Sequence, residues 1–211
     1  MRLLILGATG KTGQALIREA IHREYIVTAM ARQPASLDEY ASQIRIISGD
    51  MLNPDSLHTV MDEDYDAIIS ALGLFPRSPC TKLSTGTANL LAAMPRHHEQ
   101  RLVLISSFGC GGTDTQAPFL LRMFAFRYLF KHTIADKNRQ EQLIRDSDMR
   151  YTILRPAGLY DGAAQSRTHL WQDDKPAAVK RFKTSRLEVA RVALDCAADD
   201  GSIKKTLMMA E

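Results

Sequence analysis

The sequence predicts a doubly wound α/β fold, in which a parallel sheet is covered by helices on both faces. Three observations support this prediction. Short apolar runs of strand length alternate with amphipathic runs of helix length over the 211 residues. A glycine-rich turn separates the first apolar run, residues 3–6, from the first helical pattern. No internal repeat, low-complexity segment or linker interrupts the alternation. Repeated strand–helix–strand units need right-handed crossovers, which give a parallel sheet of the Rossmann type.

The elements follow one another in a regular order. Apolar, often β-branched runs predict strands at residues 3–6, 25–31, 44–48, 67–70, 102–106, 151–154 and 206–209. Helical periodicity predicts helices directly after the glycine turn and at residues 34–40, 53–61, 81–94, 134–146 and 185–197. Asn53-Pro54 is a typical helix start, with a cap followed by proline in the first turn. Pro95 ends the helix predicted at residues 81–94.

Length and composition indicate one domain, residues 1–211, with a small substrate-side segment towards its C-terminus. A chain of this size buries about 70% of its unfolded surface without disulfides. The net charge of +3 is too small to indicate nucleic acid as a partner. The N-terminal apolar run is too short for a signal peptide, and no stretch approaches the ~20 residues of a membrane span. We therefore expect a cytoplasmic protein.

Neither cysteines nor histidines indicate a metal site. The cysteines are odd in number and scattered, so they predict neither a disulfide framework nor a zinc site; they are Cys80, Cys110 and Cys196. Cys110 lies between two glycines and is expected to be exposed. His97-His98-Glu99 follows Pro95 in a short loop, and we interpret it as solvated, because adjacent residues rarely converge on one ion.

Two stretches break the rhythm of strands and helices, residues 109–131 and 157–183. Long irregular segments in a compact domain are often lids or binding loops, so we expect these two to form the substrate side. Residues 119–132 are aromatic and basic. Our first interpretation is that they cover the acceptor pocket, the second is a homodimer contact, and the third is a membrane-surface patch.

The glycine turn at residues 7–13 is the most informative stretch. Gly7 permits a sharp turn off the strand, Gly10 leaves space for a ligand, and Gly13 lets the helix pack close to the sheet. The free N–H groups and the positive end of that helix would then face a pyrophosphate. The candidate cofactor-binding residues of this turn are Gly7, Thr9, Gly10, Lys11, Thr12 and Gly13. The turn lacks the spacing of a P-loop, and no hydrolase elbow is present.

The end of the second strand predicts which dinucleotide binds. About twenty residues past the glycine turn, an acid would bind the ribose hydroxyls of NAD. This chain has Ala29-Met30-Ala31-Arg32 there, and a guanidinium matches the 2′-phosphate of NADP. Lys11 would add a second cation. NADP(H) is therefore favoured over NAD(H), although a solvated Arg32 would look the same in sequence.

Residues after the third and fourth strands would complete the cofactor side. Asp50, followed by Met51, is directed towards the expected adenine position, where a carboxylate would accept from the exocyclic amine. An aspartate serving only the turn is the alternative. Ala71-Leu72-Gly73 offers a path of small residues for the pyrophosphate and ribose. Gly73 is equally consistent with plain turn chemistry.

These motifs together resemble the atypical short-chain dehydrogenase/reductases, and in particular their NAD(P)H-binding, NmrA-like and flavin reductase (biliverdin reductase B)-like branch. The likeness spans nearly the whole chain. The residues that carry it are Gly7 to Gly13, Arg32, Gly49-Asp50, Ser106-Ser107, Lys137-x-x-x-Glu141, Arg155-Pro156 and the helix start at Thr184-Ser185.

The resemblance implies a catalytic Ser107, which polarises the substrate, and a catalytic Lys137, which also holds the cofactor ribose. It implies further cofactor contacts at Ser106 and Pro156. The tyrosine that donates the proton in active relatives falls on Thr133, which is a far poorer acid. Tyr128 is nine residues from Lys137, which is the wrong spacing for one helical face, so we expect it to pack with aromatic neighbours.

Two functions stay open at this point. The first is an NADP(H)-dependent oxidoreductase that reduces a small conjugated acceptor such as a flavin, quinone or enone, because hydride transfer to a flat acceptor needs mainly orientation. The second is a sensor that binds NADP(H) without chemistry, as the NmrA-like resemblance implies. For Lys137 a surface pair with Glu141 competes with the ribose contact, and for Ser106 and Ser107 backbone capping competes with catalysis.

Overall fold

The computed structural model describes residues 1–94, 100–163, 168–172 and 181–211. Eight strands form one sheet in the order β3-β2-β1-β4-β5-β6-β10-β8, and only β8 runs antiparallel to its neighbour. Two further strands, β7 and β9, pair with each other in parallel. The histidine pair at residues 97 and 98, interpreted above as a solvated loop, lies outside the described residues.

The strands are β1 Arg2–Leu6, β2 Ile26–Ala31, β3 Arg45–Ser48, β4 Ala67–Ser70, β5 Arg101–Ile105, β6 Arg150–Pro156, β7 Gly158–Tyr160, β8 His169–Gln172, β9 Lys183–Ser185 and β10 Lys205–Ala210. The α-helices are α1 Lys11–His22, α2 Pro54–Met61, α3 Lys82–Ala93, α4 Phe119–Leu121, α5 Lys131–Arg145 and α6 Arg186–Ala198. Short 3₁₀ helices span Pro34–Tyr40, Cys110–Gln116 and Asp200–Ser202, and a π-helix spans Arg122–Leu129.

Two apolar cores lie on opposite faces of the sheet. Along β1, Leu3 and Ile5 point into the core formed with α1 and α6. Leu4 and Leu6 point into the core formed with α2, α3 and α5. Because side chains alternate along a strand, a strand with apolar residues at every position has both faces covered. The predicted doubly wound α/β fold is therefore confirmed.

The described residues of both segments that break the rhythm contain more regular structure than was predicted. Residues 157–183 contribute β7, β8 and the start of β9, which are only three or four residues long. Residues 109–131 are largely helical, but Gly109, Gly111 and Gly112 have positive φ and interrupt the pattern. The π-helix that follows has more residues per turn than the 3.6 of an α-helix, so its sequence does not show α-helical periodicity.

The strand order places the ligand-binding crevice. Chain order runs outward from β1 in both directions, to β2 and β3 on one side and to β4, β5 and β6 on the other. Ligands of such sheets bind outside the carboxyl ends of the strands at this reversal. The glycine turn leaves β1 at that end, beside the carboxyl end of β4.

Candidate functional site

The glycine turn is held by close backbone contacts. Gly7 has φ +75°, and a Cβ on it would lie 2.8 Å from the carbonyl carbon of Ala71 at the end of β4. A Cβ on Gly13 would lie 2.3 Å from the carbonyl oxygen of Gly7. Any side chain at either position would therefore collide with backbone. These two glycines bring the carboxyl ends of β1 and β4 and the start of α1 into direct contact.

Gly10 has a different surrounding. It is exposed, and a Cβ there would meet only the Gly7 carbonyl oxygen, at 3.4 Å. Gly10 is also the N-cap of α1, where no side chain caps the helix and no acid lies in the first turn. The first N–H groups and the positive end of the helix dipole are thus left for a ligand. This arrangement fits a pyrophosphate group.

Lys11, at the start of α1, forms an ion pair that the sequence did not predict. Its Nζ lies 2.9 Å from the Asp161 carboxylate, which also accepts from Nη1 of Arg186 at 2.7 Å. The hydrogen bond from Lys11 and the neighbouring Arg186 hold the pKa of Asp161 below its ordinary value. A carboxylate therefore occupies the space between two cations beside the glycine turn.

The other residues predicted to recognise the adenosine end follow β2 and β3. Arg32 directly follows β2, is exposed, and forms no ion pair with any described residue. Asp50 follows β3, and its carboxylate accepts from the backbone N–H of Leu52 at 3.0 Å, as a turn aspartate does. The Met51 side chain is buried in the core, so only its backbone is available to a ligand.

The end of β4 lies next to the glycine turn. Ala71 and Leu72 are partly buried, and Gly73 is exposed with nothing within 4 Å of a Cβ built on it. Gly73 therefore has no close approach to protein that would require glycine. The Leu72 carbonyl oxygen accepts a hydrogen bond from Lys137 Nζ at 3.4 Å, which links this segment to α5.

The ends of β5 and β6 carry a buried charge network. Ser106 is buried and donates from Oγ to the Glu141 carboxylate at 2.5 Å. Nε of Arg155 donates to the same carboxylate at 3.1 Å, and Nη2 donates to its other oxygen at 2.5 Å. Both members of this ion pair are buried. The network fixes the Ser106 side chain towards the protein interior.

Lys137 is buried beside this network. Its Nζ donates to the Ile105 carbonyl oxygen at 3.2 Å, at the end of β5. Burial lowers the pKa of Lys137, because the charged ammonium loses its hydration. The interpretation of Lys137 and Glu141 as a surface ion pair is therefore wrong. Both side chains are buried, and the Glu141 carboxylate accepts from Ser106 and Arg155 instead.

Ser107 and Pro156 lie at the mouth of this region. Ser107 is partly buried, and among the described residues its hydroxyl donates only to the neighbouring Phe108 carbonyl oxygen, at 3.1 Å. Pro156 ends β6, and its carbonyl oxygen accepts from the N–H of Phe108 at 3.0 Å. The local bond to Phe108 leaves the Ser107 hydroxyl free to reorient towards a ligand. The catalytic role of Ser107 and the ribose contact of Lys137 stay predictions.

Three further expectations meet the structure in this region. Thr133, at the position of the tyrosine in active relatives, is buried and donates to the Leu74 carbonyl oxygen at 3.0 Å. Tyr128 is 70% exposed, so the expectation that it packs among aromatic neighbours is wrong. Cys110 was expected to be exposed and is fully buried, because it begins the 3₁₀ helix that folds over the end of β5. Burial also raises the pKa of its thiol.

Sequence reasoning missed two groups of residues near the site. Arg155 was noted only as a mark of resemblance and Glu141 also as a surface partner of Lys137, although an arginine in an otherwise apolar strand signals a buried partner. Asp161 and Arg186 gave no signal, since Asp161 pairs with Lys11, 150 positions away in the chain, and with Arg186, 25 positions away. The described residues contain no group of three potential metal ligands. In the same residues, no helix combines the length and apolar composition needed to cross a bilayer.

The fold and this site define a class: a doubly wound protein whose first helix offers an uncapped amino terminus to a dinucleotide. The profile of one family, described as NAD(P)H-binding, matches residues 7–200. The chain belongs to this family. The resemblance drawn from the glycine turn and the Arg-Pro strand end is thereby confirmed.

Individual relatives agree with this assignment. The chain is 28% identical over 215 residues to an uncharacterized chloroplastic protein of Arabidopsis thaliana, covering 98% of this chain and 75% of that protein. The anaerobillin reductase ChuY of Escherichia coli O157:H7 has a similar structure, with TM-score 0.83, 20% identity and coverage of 100% and 97%. A short-chain dehydrogenase/reductase of Veillonella parvula, solved in complex with NADP, has TM-score 0.80, 21% identity and coverage of 100% and 94%. The two structures show a shared fold.

Proposed function

We propose that this protein is an NADPH-dependent oxidoreductase that reduces a small conjugated acceptor. The observation that carries the proposal is the uncapped amino terminus of α1 at Gly10, because it offers a phosphate site at the carboxyl ends of β1 and β4, on the sheet edge where β5 and β6 also end. A structural neighbour is named as a reductase, and another was solved with NADP. Both lend support.

The preference for NADP(H) rests on cations around the glycine turn. Arg32 is exposed with no ion-pair partner among the described residues, so its guanidinium is available to a 2′-phosphate. Lys11 and Arg186 lie within reach of a common anion, since both contact the Asp161 carboxylate. Arg32 would thus bind the 2′-phosphate, and Lys11 and Arg186 would add positive charge near the glycine turn.

The chain supplies little acid chemistry on the acceptor side. Thr133 is bound to Leu74 and has no acidic proton near neutrality, and Cys110 is buried with a raised pKa. A bound NADPH would supply the hydride, and the acceptor takes up its proton from water. Lys137 would hold the ribose, and Ser107 would orient the acceptor or the carboxamide. Flavins, quinones and enones suit this arrangement because they need orientation more than a strong acid.

The test is to follow NADPH absorbance, without oxygen, with a panel of flavins, quinones and enones. We expect turnover with at least one acceptor class and a loss of about tenfold or more in kcat for Ser107→Ala. Ser42→Ala, at an exposed serine remote in the chain from Ser107, is the matched control. Equal kcat in wild type and Ser107→Ala would remove Ser107 from the mechanism.

A second candidate is a sensor of the NmrA-like type that binds NADP(H) and does no chemistry. The hydrogen bond of Thr133 to the Leu74 backbone favours it, because a structural bond has replaced the proton donor of active relatives. Tight NADP binding with no turnover on any acceptor would favour the sensor over the reductase.

A further inference from the structure

The segment that follows β5 has apolar residues on all sides. We name residues 119–130 the outer helical segment; it comprises α4, the π-helix and Phe130. The Phe130 N–H bonds to the Ala125 carbonyl oxygen at 2.8 Å, which is the i to i+5 bond of a π-helix. Residues about four or five positions apart therefore share a face of this segment. This spacing divides its apolar residues into an inner set, which packs against the protein, and an outer set, which is exposed to solvent.

The inner set anchors the segment to the protein. The Phe126 ring centroid lies 6.4 Å from that of Phe108 and 6.2 Å from that of Phe130. Phe130 in turn lies 6.0 Å from Phe75. Ala125, which precedes Phe126, is also buried. These contacts account for the packing of the segment, so the outer set is not needed to hold it in place.

The outer set is large and open to solvent. Leu120 is 69% exposed and Leu129 is 72% exposed. The large exposed apolar residues of the outer helical segment are Phe119, Leu120, Met123, Phe124, Tyr128 and Leu129. Phe75, which contacts the segment through Phe130, is also exposed. A helix that is apolar all round is normally buried, in a core or in a membrane. A contiguous exposed patch of this kind marks an interaction surface.

Cations, without acids, accompany this apolar face. From residue 115 to residue 135 the sequence contains no aspartate or glutamate, whereas it contains Arg122, Arg127 and Lys131. Arg127 and Lys131 are exposed and form no ion pair with any described residue. The Arg122 guanidinium lies 5.7 Å from the centroid of the Phe119 ring. The whole surface is therefore apolar and positively charged.

We propose that this face binds the surface of an anionic lipid bilayer. Aromatic and leucine side chains would enter the boundary between headgroups and acyl chains, while Arg127 and Lys131 contact anionic headgroups. A second copy of this chain fits less well, because a two-fold interface would bring identical clusters of cations together. The mode of binding is peripheral, and it goes beyond the proposed reductase function.

The test is sedimentation of the full chain with vesicles of phosphatidylcholine alone and of phosphatidylcholine mixed with an equal amount of phosphatidylglycerol. We expect binding to the mixed vesicles only, weakening as salt is added, because salt screens the attraction. Arg127→Gln with Lys131→Gln should reduce partitioning about thirtyfold, the combined contribution of two cations at an anionic surface. Leu120→Ser with Leu129→Ser should reduce it by at least about tenfold.

Ile26→Ser is the matched control, since Ile26 is an apolar residue 65% exposed on a strand away from this segment. NADPH binding by each variant checks that it is folded. The proposal is overturned if wild type fails to sediment with the mixed vesicles, or if both double variants sediment as wild type does. Light scattering that shows a dimer abolished by the leucine variant, with no vesicle binding, would instead assign the face to a second copy.

Discussion

The two halves of the ligand crevice differ in the groups that form them: backbone amides on one side and charged side chains on the other. On the β1 side the groups that would face a ligand are backbone amides at the start of α1, exposed by glycines at fixed positions. On the β5 and β6 side the floor is a set of buried charged side chains, Lys137, Glu141 and Arg155. A backbone site recognises a phosphate through geometry that almost any sequence between the glycines preserves. A site of buried charges depends on every partner being present.

This difference indicates where the protein tolerates change. The backbone site depends on the absence of side chains at Gly7 and Gly13. The charge network instead depends on particular side chains, and its loss would affect stability as well as chemistry. The following predictions test this contrast, beginning with the largest expected effect.

Glu141→Gln should cost about 3–5 kcal/mol of the free energy of unfolding at neutral pH, because Arg155 loses the buried carboxylate that it contacts. Urea unfolding measures this cost. The double variant Glu141→Leu with Arg155→Met is the control, and it should recover much of the loss by removing both charges. A single variant as stable as wild type would show that the network is not required for folding, contrary to the comparison.

Gly13→Ala should cost about 3 kcal/mol, since its Cβ would lie 2.3 Å from the Gly7 carbonyl oxygen and 2.7 Å from Ala8 Cα. Neither backbone atom moves easily. Gly73→Ala is the control, because a Cβ there meets nothing within 4 Å. Thermal unfolding of the two variants side by side would separate a steric requirement for glycine from a general effect of alanine.

Arg32→Ala should weaken NADPH binding about ten- to a hundredfold and leave NADH binding unchanged, since only NADPH carries the 2′-phosphate. Titration of both cofactors by fluorescence measures this. Lys205→Ala removes the same charge at the start of β10, at the other end of the sheet, and should change neither affinity. Equal affinity of wild type for NADPH and NADH would contradict the proposed role of Arg32.

Lys137 should make stability depend on pH. Its pKa in the folded protein is below the ordinary 10.5 because of burial, so the unfolded chain binds more protons between these two values. Stability from this group therefore rises as pH increases towards 10.5 and is flat above it. Lys137→Met should lack the rise, whereas Lys82→Met, at an exposed lysine, should keep it. Urea unfolding at several alkaline pH values distinguishes the two curves.

Asp161→Asn should tighten NADPH binding about two- to fivefold, because the carboxylate no longer competes with a phosphate for Lys11 and Arg186. Asp38→Asn is the control, because it removes an exposed carboxylate on the 3₁₀ helix Pro34–Tyr40. Weaker binding in Asp161→Asn would indicate that the loop carboxylate assists the ligand rather than competing with it.

The sequence predicted the β1 side of the crevice better than the β5 side, for a physical reason. A glycine turn between a strand and a helix is a local pattern, and its geometry follows from neighbouring residues. Arg155 and Glu141 are 14 positions apart and lie on different elements, and Lys11 and Asp161 are 150 positions apart. Nothing in a linear pattern identifies such partners.

The same limit applies to secondary structure. The seven strands that were predicted each carry a run of apolar residues, as the four-residue β4 does with Ala67, Ile68 and Ile69, and the regular helices carry several turns of consistent apolar pattern. The three-residue strands β7 and β9 contain too few positions to show a pattern. The π-helix has more residues per turn than the 3.6 of an α-helix, so its apolar residues do not show α-helical periodicity. Cys110 was predicted to be exposed because its glycine neighbours indicated a loop, whereas it lies in a buried turn.

Gly111, in the 3₁₀ helix Cys110–Gln116, limits which residues this turn can accept. A Cβ on Gly111 would lie 2.3 Å from Nη2 of Arg155, the guanidinium that contacts Glu141. One added methyl group would thus press on the ion pair below it and, through Glu141, on Ser106. Gly112, by contrast, has open space around it. Gly112 nevertheless favours glycine because its φ is +79°, so divergence of this turn is limited at Gly111 by the ion pair and at Gly112 by the backbone.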